Sequence, residues 1–177
     1  MIKACFKAQC PFGVVTLNRG AEIRMPGQEV EFSETGTLAH ILEFEAVQPS
    51  LFMIRCQGGQ RFKVLERSLA SNGAWSAEVE LIAEDSLIEV PPELTTTSQA
   101  LARLIESFEE QEIPPADRPI MLPYRLNDCG WIANRWAELL DLPPAQKLHL
   151  LAMEHPRLRL DLVQEILEEM GAFKPPR

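Results

Sequence analysis

The chain has 177 residues, 46% of them hydrophobic and 24% charged, with a formal net charge of −9. That length suits one domain or two small lobes with a sizeable core, and the composition is ordinary for a soluble globular protein. The acidity argues against a phosphate-backbone binder, which needs a field of Lys and Arg, and against attraction to an anionic membrane surface.

Residues 2–10 read as a short helix, with Ile2 and Phe6 four apart, stopped by Pro11. Phe12 to Leu17 reads as a buried strand. Residues 18–34 carry glycine, proline and glutamate with no steady period, and are expected to be a loop. The stretch from Gly36 to Glu66 organises the first half as three consecutive strands. Leu38 to Glu45 alternates, so Leu38, His40, Leu42 and Phe44 are expected on one face. A turn follows at Gln48-Pro49-Ser50, and Leu51 to Cys56 returns. Gly58-Gly59 permits positive φ, so a tight turn or bulge is expected before a third strand over Arg61 to Glu66. Asn72-Gly73 suits a type I′ hairpin. Ala74 to Ile82 then alternates with Trp75, Ala77, Val79 and Leu81 inward. Short strands joined by glycine turns suggest a small antiparallel barrel or sandwich.

The pattern changes near Val90-Pro91-Pro92. Thr97 or Ser98 can cap a helix whose Leu101, Leu104, Ile105 and Phe108 form one face. Four prolines make 112–124 a loop. Asp128 can cap a helix running to about Leu140, with Ile132, Trp136, Leu139 and Leu140 buried. Pro143-Pro144 and Pro156 each open a further helix. The last carries the stripe Leu162, Val163, Ile166, Leu167 and Met170 and ends at Gly171, a natural C-cap. The tail from Lys174 is expected to fray. Strands first and helices second define an α+β chain, divided as a β lobe over 1–90 and a helical lobe over 91–177 packed on it.

Reaction signatures are missing. There is no Gly-Lys-Ser/Thr phosphate loop, no GxGxxG, no GxSxG and no HExxH. Cys5, Cys10, Cys56 and Cys129 form no CxxC and read as free thiols. The three histidines do not pair with them at metal-ligand spacing, so no metal or cofactor is expected. An enzyme reading would enlist His40, Cys129 and Asp128. His40 is better explained as a hydrogen-bonded core or barrel-mouth residue. Cys129 sits at a helix start where the dipole can depress its pKa, but it is better explained as a small capping-region residue. Asp128 is better read as a cap than as an acid. Arg61 and Arg135, each in an apolar element, are expected to pair with carboxylates or cap carbonyls. Core packing is expected for Trp131 and Trp136.

The ordered combination of Gly36-Thr37-Leu38-Ala39-His40-Ile41, Gly58-Gly59-Gln60-Arg61-Phe62-Lys63-Val64 and Trp75-Ser76-Ala77-Glu78-Val79 resembles the Lon protease N-terminal, substrate-binding domain, a PUA-like family. Asp128-Cys129-Gly130-Trp131-Ile132-Ala133-Asn134 and Glu138-Leu139-Leu140-Asp141-Leu142-Pro143 look like the helical part of its stand-alone bacterial members. The resemblance implies a PUA-like β lobe followed by a helical bundle, and a role in engaging polypeptide without the ATPase or Ser-Lys protease modules. Family members usually open with two further strands, a proline-glycine turn between them and a helix after. Only the end of that helix has a counterpart here, so the β lobe is expected to be open or completed by another chain.

The expected function is therefore a non-enzymatic, cytoplasmic module binding unfolded or extended polypeptide, or a protein partner, through a sheet face around Leu38, His40, Leu42, Phe44, Phe52 and Ile54. A homo-oligomer through an open sheet edge is a further expectation. RNA binding, by analogy with other PUA-like domains, is opposed by the charge. No apolar run reaches the length of a membrane span, and no targeting segment is read at the N-terminus.

Overall fold

A computed structural model describes residues 1–20, 29–48, 51–71 and 73–173 of the chain. The proline turn at 49–50, Asn72 of the expected Asn-Gly hairpin, the middle of the expected 18–34 loop and the tail from Lys174 lie outside the described residues. The chain divides into two compact units, Met1–Glu84 and Asp85–Arg177.

The first unit holds helix α1 (Ile2–Ala8) and strands β1 (Phe12–Arg19), β2 (Glu31–Gln48), β3 (Leu51–Leu69) and β4 (Trp75–Leu81). The strands form one antiparallel sheet in the order β1-β2-β3-β4, with β1 and β4 at its edges. Within this chain, and among the described residues, the sheet does not close into a barrel. Asn18 and Arg19, and Glu31 to Glu34, all expected in a loop, belong to β1 and β2 respectively.

Gly58-Gly59 does not separate two strands. β3 runs straight through it, and neither glycine takes positive φ. The bulge half of the expectation holds. Thr37 pairs with Arg61 and Ala39 with Gly58, so β3 carries one extra residue there.

A second irregularity corrects the expected sheet face. Ile41 pairs with Cys56 and Phe44 with Ile54, so the extra residue between them lies on β2 at Leu42. Cys56 and Ile54 are two apart and share a face, which puts Ile41 and Phe44 on that face together. Leu38 and His40 therefore lie on the opposite face from Phe44. The four residues expected side by side are divided by one inserted position.

Phe62 is the anchor of the sheet. It is 2% exposed and pairs with Gly36, whose neighbour across the other ladder is Val15. A Cβ on Gly36 would lie 2.5 Å from the Phe62 ring and 2.5 Å from the Val14 carbonyl oxygen. Among the described residues of the sheet unit, Phe62 and Ala39 are the buried hydrophobics. Trp75, Ala77, Val79 and Leu81, expected inward, are all exposed on the edge strand, although Leu81 pairs with the buried Phe62.

Near the β1–β2 register shift the ladder is repaired by a side chain. The Thr16 amide donates to Ser33 Oγ at 3.0 Å, and that hydroxyl donates to the Thr35 carbonyl at 2.8 Å. Ser33 is buried. Ser33→Ala should cost about 1 kcal/mol, because it leaves a part-buried amide donor without this partner. Hydrogen exchange checks this directly. The Thr16 amide should exchange faster in the variant, and an unchanged rate would contradict the assignment.

The second unit contains α2 (Thr95–Glu110), α3 (Cys129–Leu139), α4 (Pro144–Ala152) and α5 (Pro156–Glu169), with single 3-10 turns at Pro92–Leu94 and Pro115–Asp117. The main hydrophobic core is here. Leu101 and Ile105 of α2 meet Ile132 and Trp136 of α3, Leu150 of α4, and Leu160, Val163 and Leu167 of α5. Proline occupies the first turn of α4 and of α5. Gly171 ends α5 with φ 74°. The Gly171 and Ala172 amides return to the Glu168 and Leu167 carbonyls as a Schellman motif. Met170, assigned to the apolar stripe of α5, is 58% exposed.

Neither Thr97 nor Ser98 caps α2, because the Pro92–Leu94 turn already starts it. Their hydroxyls are used within the unit instead, Thr97 donating to Gln164 Oε1 at 2.9 Å and Ser98 to the Leu126 carbonyl at 2.6 Å. Trp136 donates its Nε1–H to the Thr97 carbonyl, while Trp131 packs at the core margin against Tyr124.

One buried cation ties this unit together. Arg159, 1% exposed, donates through Nη1 to Asp85 Oδ2 at 2.6 Å and to Asn134 Oδ1 at 3.1 Å. Its Nη2 donates to Asp85 Oδ1 at 3.2 Å and to the Met153 carbonyl. The segment after Asp85 then runs beside the start of α3, with the Cys129 amide donating to the Ile88 carbonyl and the Val90 amide to that of Asn127.

Candidate functional site

The surface that stands out is the far part of the β2–β3 hairpin. Among the described residues, the two strands pair only with each other from His40 to Gln48 and from Leu51 to Gln57, since the β1 pairing stops at Ala39 and the β4 pairing starts at Phe62. This two-stranded arm is rich in apolar side chains, and five are open to water. Leu42, Val47, Leu51, Met53 and Ile54 are 45, 47, 54, 64 and 39% exposed.

Phe44 and Phe52 sit on the other side of the balance. They stack with ring centroids 5.3 Å apart, and Phe6 of α1 stacks on Phe44 at 5.3 Å. The Lys3 ammonium lies 4.2 Å from the centre of the Phe52 ring. So α1 lies over this end of the arm and half-buries the two rings. Arg55 and Glu43 pair across the strands at 3.7 Å, a contact of small energetic weight because Glu43 is open to solvent.

Of the six residues expected to form one surface, Phe44, Phe52 and Ile54 share the α1 side of the arm. Leu42 is the bulge residue, and Leu38 and His40 belong to the opposite face, nearer Phe62. Met53, Leu51 and Val47 are as prominent and were not singled out. The signal that could have found them is the odd-numbered apolar set of the return strand, Leu51 and Met53, which leaves no polar face there. A second apolar strip runs along the edge strand through Trp75, Val79 and Leu81. Leu69 lies across from Trp75, and the Trp75 ring meets Phe32 edge-on at 5.2 Å.

The residues of the enzyme reading have ordinary roles. Asp128 is buried and accepts the Gly130 amide at 3.0 Å, the expected cap. Cys129 is fully buried and directs its thiol at the Glu89 carbonyl. Burial pushes its pKa up and the Asp128 carboxylate adds to the rise, which fits the capping-region reading and not the activated thiol that an enzyme would need. A thiol whose pKa is raised by folding stabilises the fold fully at neutral pH, and loses that contribution as pH climbs through the raised value. Cys129 should therefore stay unalkylated by N-ethylmaleimide at pH 8 while exposed Cys10 and Cys56 react, and should become reactive only in denaturant. Alkylation of Cys129 in the folded chain at the rate of Cys56 would refute this. His40 is exposed rather than hydrogen-bonded in a core, and its imidazole lies against Gly59, where an added Cβ would come within 3.1 Å of the ring. Arg135 pairs with Glu138 at 3.3 Å, as expected of an arginine in an apolar helix. Among the described residues no helix is long and apolar enough to cross a membrane.

An antiparallel sheet with an apolar arm, followed by a compact helical unit, defines a mixed α+β module whose most distinctive surface is hydrophobic. A family model for the ATP-dependent protease La (LON) substrate-binding domain matches residues 1–169. The chain belongs to that family. Among solved structures it is similar to a Lon N-terminal domain protein from Xanthomonas campestris, with 25% identity and a TM-score of 0.64, covering 98% of this chain and 82% of that one. The N-terminal domain of a Mycobacterium avium complex Lon protease shares the fold, with 16% identity, a TM-score of 0.53, and 89% and 91% of the two chains covered. Comparison with curated proteins finds no match.

Proposed function

We propose that this chain is a non-enzymatic module that binds extended or unfolded polypeptide on the β2–β3 arm. Membership of a substrate-binding family supports a binding role. The observation that carries the reading is the exposure of Leu42, Val47, Leu51, Met53 and Ile54 on a single two-stranded element. Apolar surface of this kind gains by burial, at about 25 cal/mol per Å2 removed from water. Extended chains offer alternating side chains and free backbone groups, which suit addition beside an exposed strand. The net charge of −9 disfavours nucleic acid as the ligand. A second copy of the chain could pair along the open β4 edge, and this would appear as a concentration-dependent dimer.

The test is binding of a fluorescent, reduced and carboxymethylated protein, with the same protein in its folded form as control. Met53→Glu with Ile54→Glu places a charge on each side of the arm. It should weaken binding of the unfolded form about tenfold, equivalent to ~1.4 kcal/mol. Equal affinity for folded and unfolded forms, or no change in the double variant, would remove the proposal.

A further inference from the structure

α1 ends in a way that brings two thiols together. The Cys10 amide donates to the Cys5 carbonyl at 3.1 Å, and the Gln9 amide to that of Phe6 at 3.3 Å. Gln9 adopts φ 51° and ψ 36°. These features make a Schellman motif, in which the residue after the left-handed position folds back on the residue five before it. Apolar side chains usually fill that pair of positions. Here both are cysteine. Gln9 takes the left-handed conformation without being glycine, and its own side chain donates to the Phe6 carbonyl at 2.9 Å, which holds the turn. Cys5 and Cys10 then line one shallow depression together with Phe6, Gln9, His40 and Ile41. Both are free thiols, Cys10 exposed and Cys5 half-buried.

We infer that Cys5 and Cys10 form an oxidisable dithiol, closing to an intrachain disulfide by exchange with a small disulfide such as oxidised glutathione. The exposed Cys10 attacks first. Its thiolate sulfur bonds to one glutathione sulfur, and the other leaves as glutathione thiol, taking up the proton that Cys10 lost. Cys5 then attacks the Cys10 sulfur of this mixed disulfide and displaces the second glutathione as thiol. Two protein thiols and one glutathione disulfide become one protein disulfide and two glutathione thiols. Removal of Cys5 from water, with the neighbouring Cys10 thiol, pushes the Cys5 pKa up, so Cys5 suits the resolving role better than the entry role. The disulfide fastens the last turn of α1, the helix that carries Phe6 onto Phe44. Cys56, an exposed thiol of the same unit, provides an internal control.

The experiment treats the full chain with glutathione disulfide, quenches with N-ethylmaleimide and reads the mass. Cys5 and Cys10 should lose alkylation in equal amounts, the chain carrying two fewer maleimide adducts than the untreated control and two fewer hydrogens besides. Trypsin cuts after Lys7, so the peptides 4–7 and 8–19 should run as one species until a reductant separates them. Cys10→Ser should abolish that species. The inference is overturned if glutathione stays attached to Cys10 while Cys5 remains alkylatable. It is equally overturned if Cys56 oxidises to the same extent, or if Cys10→Ser still loses two hydrogens.

Discussion

Replacing Arg159 with leucine should lower the stability of the helical unit by about 3–5 kcal/mol, the range seen when one partner of a buried ion pair is removed. The guanidinium is 1% exposed and makes a two-pronged contact with Asp85, whose side chain is 17% exposed. Three separate parts of the unit converge on it: the chain just after the sheet, α3 through Asn134, and the turn before α5 through Met153. Leucine fills part of the volume but leaves Asp85 without its buried cation and two oxygens without this donor. Trp131 and Trp136 both lie in this unit, so their emission in a urea titration reports its unfolding. The Arg159→Leu, Asp85→Leu double variant should recover part of the loss, since an apolar pair removes the buried charge altogether. A single variant that loses less than about 1 kcal/mol, the weight of an exposed pair, would show that the cluster does not hold the unit together.

Gly36→Val should damage the sheet on a similar scale. Overpacking typically costs about 1–3 kcal/mol where neighbours can shift. Two of the three atoms nearest the new Cβ are the Phe62 ring at 2.5 Å and the Val15 side chain at 2.7 Å, which have some freedom. The third is the Val14 carbonyl oxygen at 2.5 Å, which belongs to the β1–β2 ladder and cannot turn away without breaking it. The upper end of that range, about 3 kcal/mol, is therefore expected. The sheet unit has little to set against it, because Phe62 and Ala39 are its buried hydrophobics among the described residues. Phe62→Ala should cost about 3–5 kcal/mol by the ordinary cavity argument. Adding Phe62→Ala to Gly36→Val relieves the ring clash but not the carbonyl clash. Chemical-shift dispersion of the β1 and β2 amides under increasing urea measures both. Full recovery of Gly36→Val stability in a Phe62→Leu background would show that the ring alone requires the glycine.

The helical half was legible because its signals are local. Asp128 before an apolar period, Pro144 and Pro156 at first turns, and Gly171 after a last turn each act within one turn of helix, and each does so in the structure. The sheet was legible in outline but not in facing. A bulge such as the one at Leu42 inserts one residue and reverses every side chain beyond it, and leucine carries no mark of doing so. Alternation in Trp75 to Leu81 was real, but whether an alternating face is covered depends on what lies above it. Arg159 was invisible for a different reason. In Pro156-Arg157-Leu158-Arg159-Leu160 its polarity suggests a solvated position, and its partner Asp85 is 74 residues away. Arg61 and Arg135 drew attention because their neighbours are apolar. Arg159 is the more deeply buried arginine, although Arg157 and Asp161 two positions to either side give its stretch the look of a polar face.

The arm also has a thermodynamic identity of its own. Among the described residues it is a ribbon of two strands beyond Ala39 and Phe62, and such a ribbon is marginal in water unless something packs on it. What packs on it here is α1, a seven-residue helix with no buried residue, through Phe6 and Lys3. Opening the ribbon from its tip therefore costs far less than unfolding the sheet behind it. The two strands form a separate cooperative segment, whose backbone amides should exchange with deuterium well before those around Phe62. On the proposed binding of extended polypeptide, an incoming chain would meet strands already able to part, and would take the place of one strand in the ladder instead of lying beside the pair.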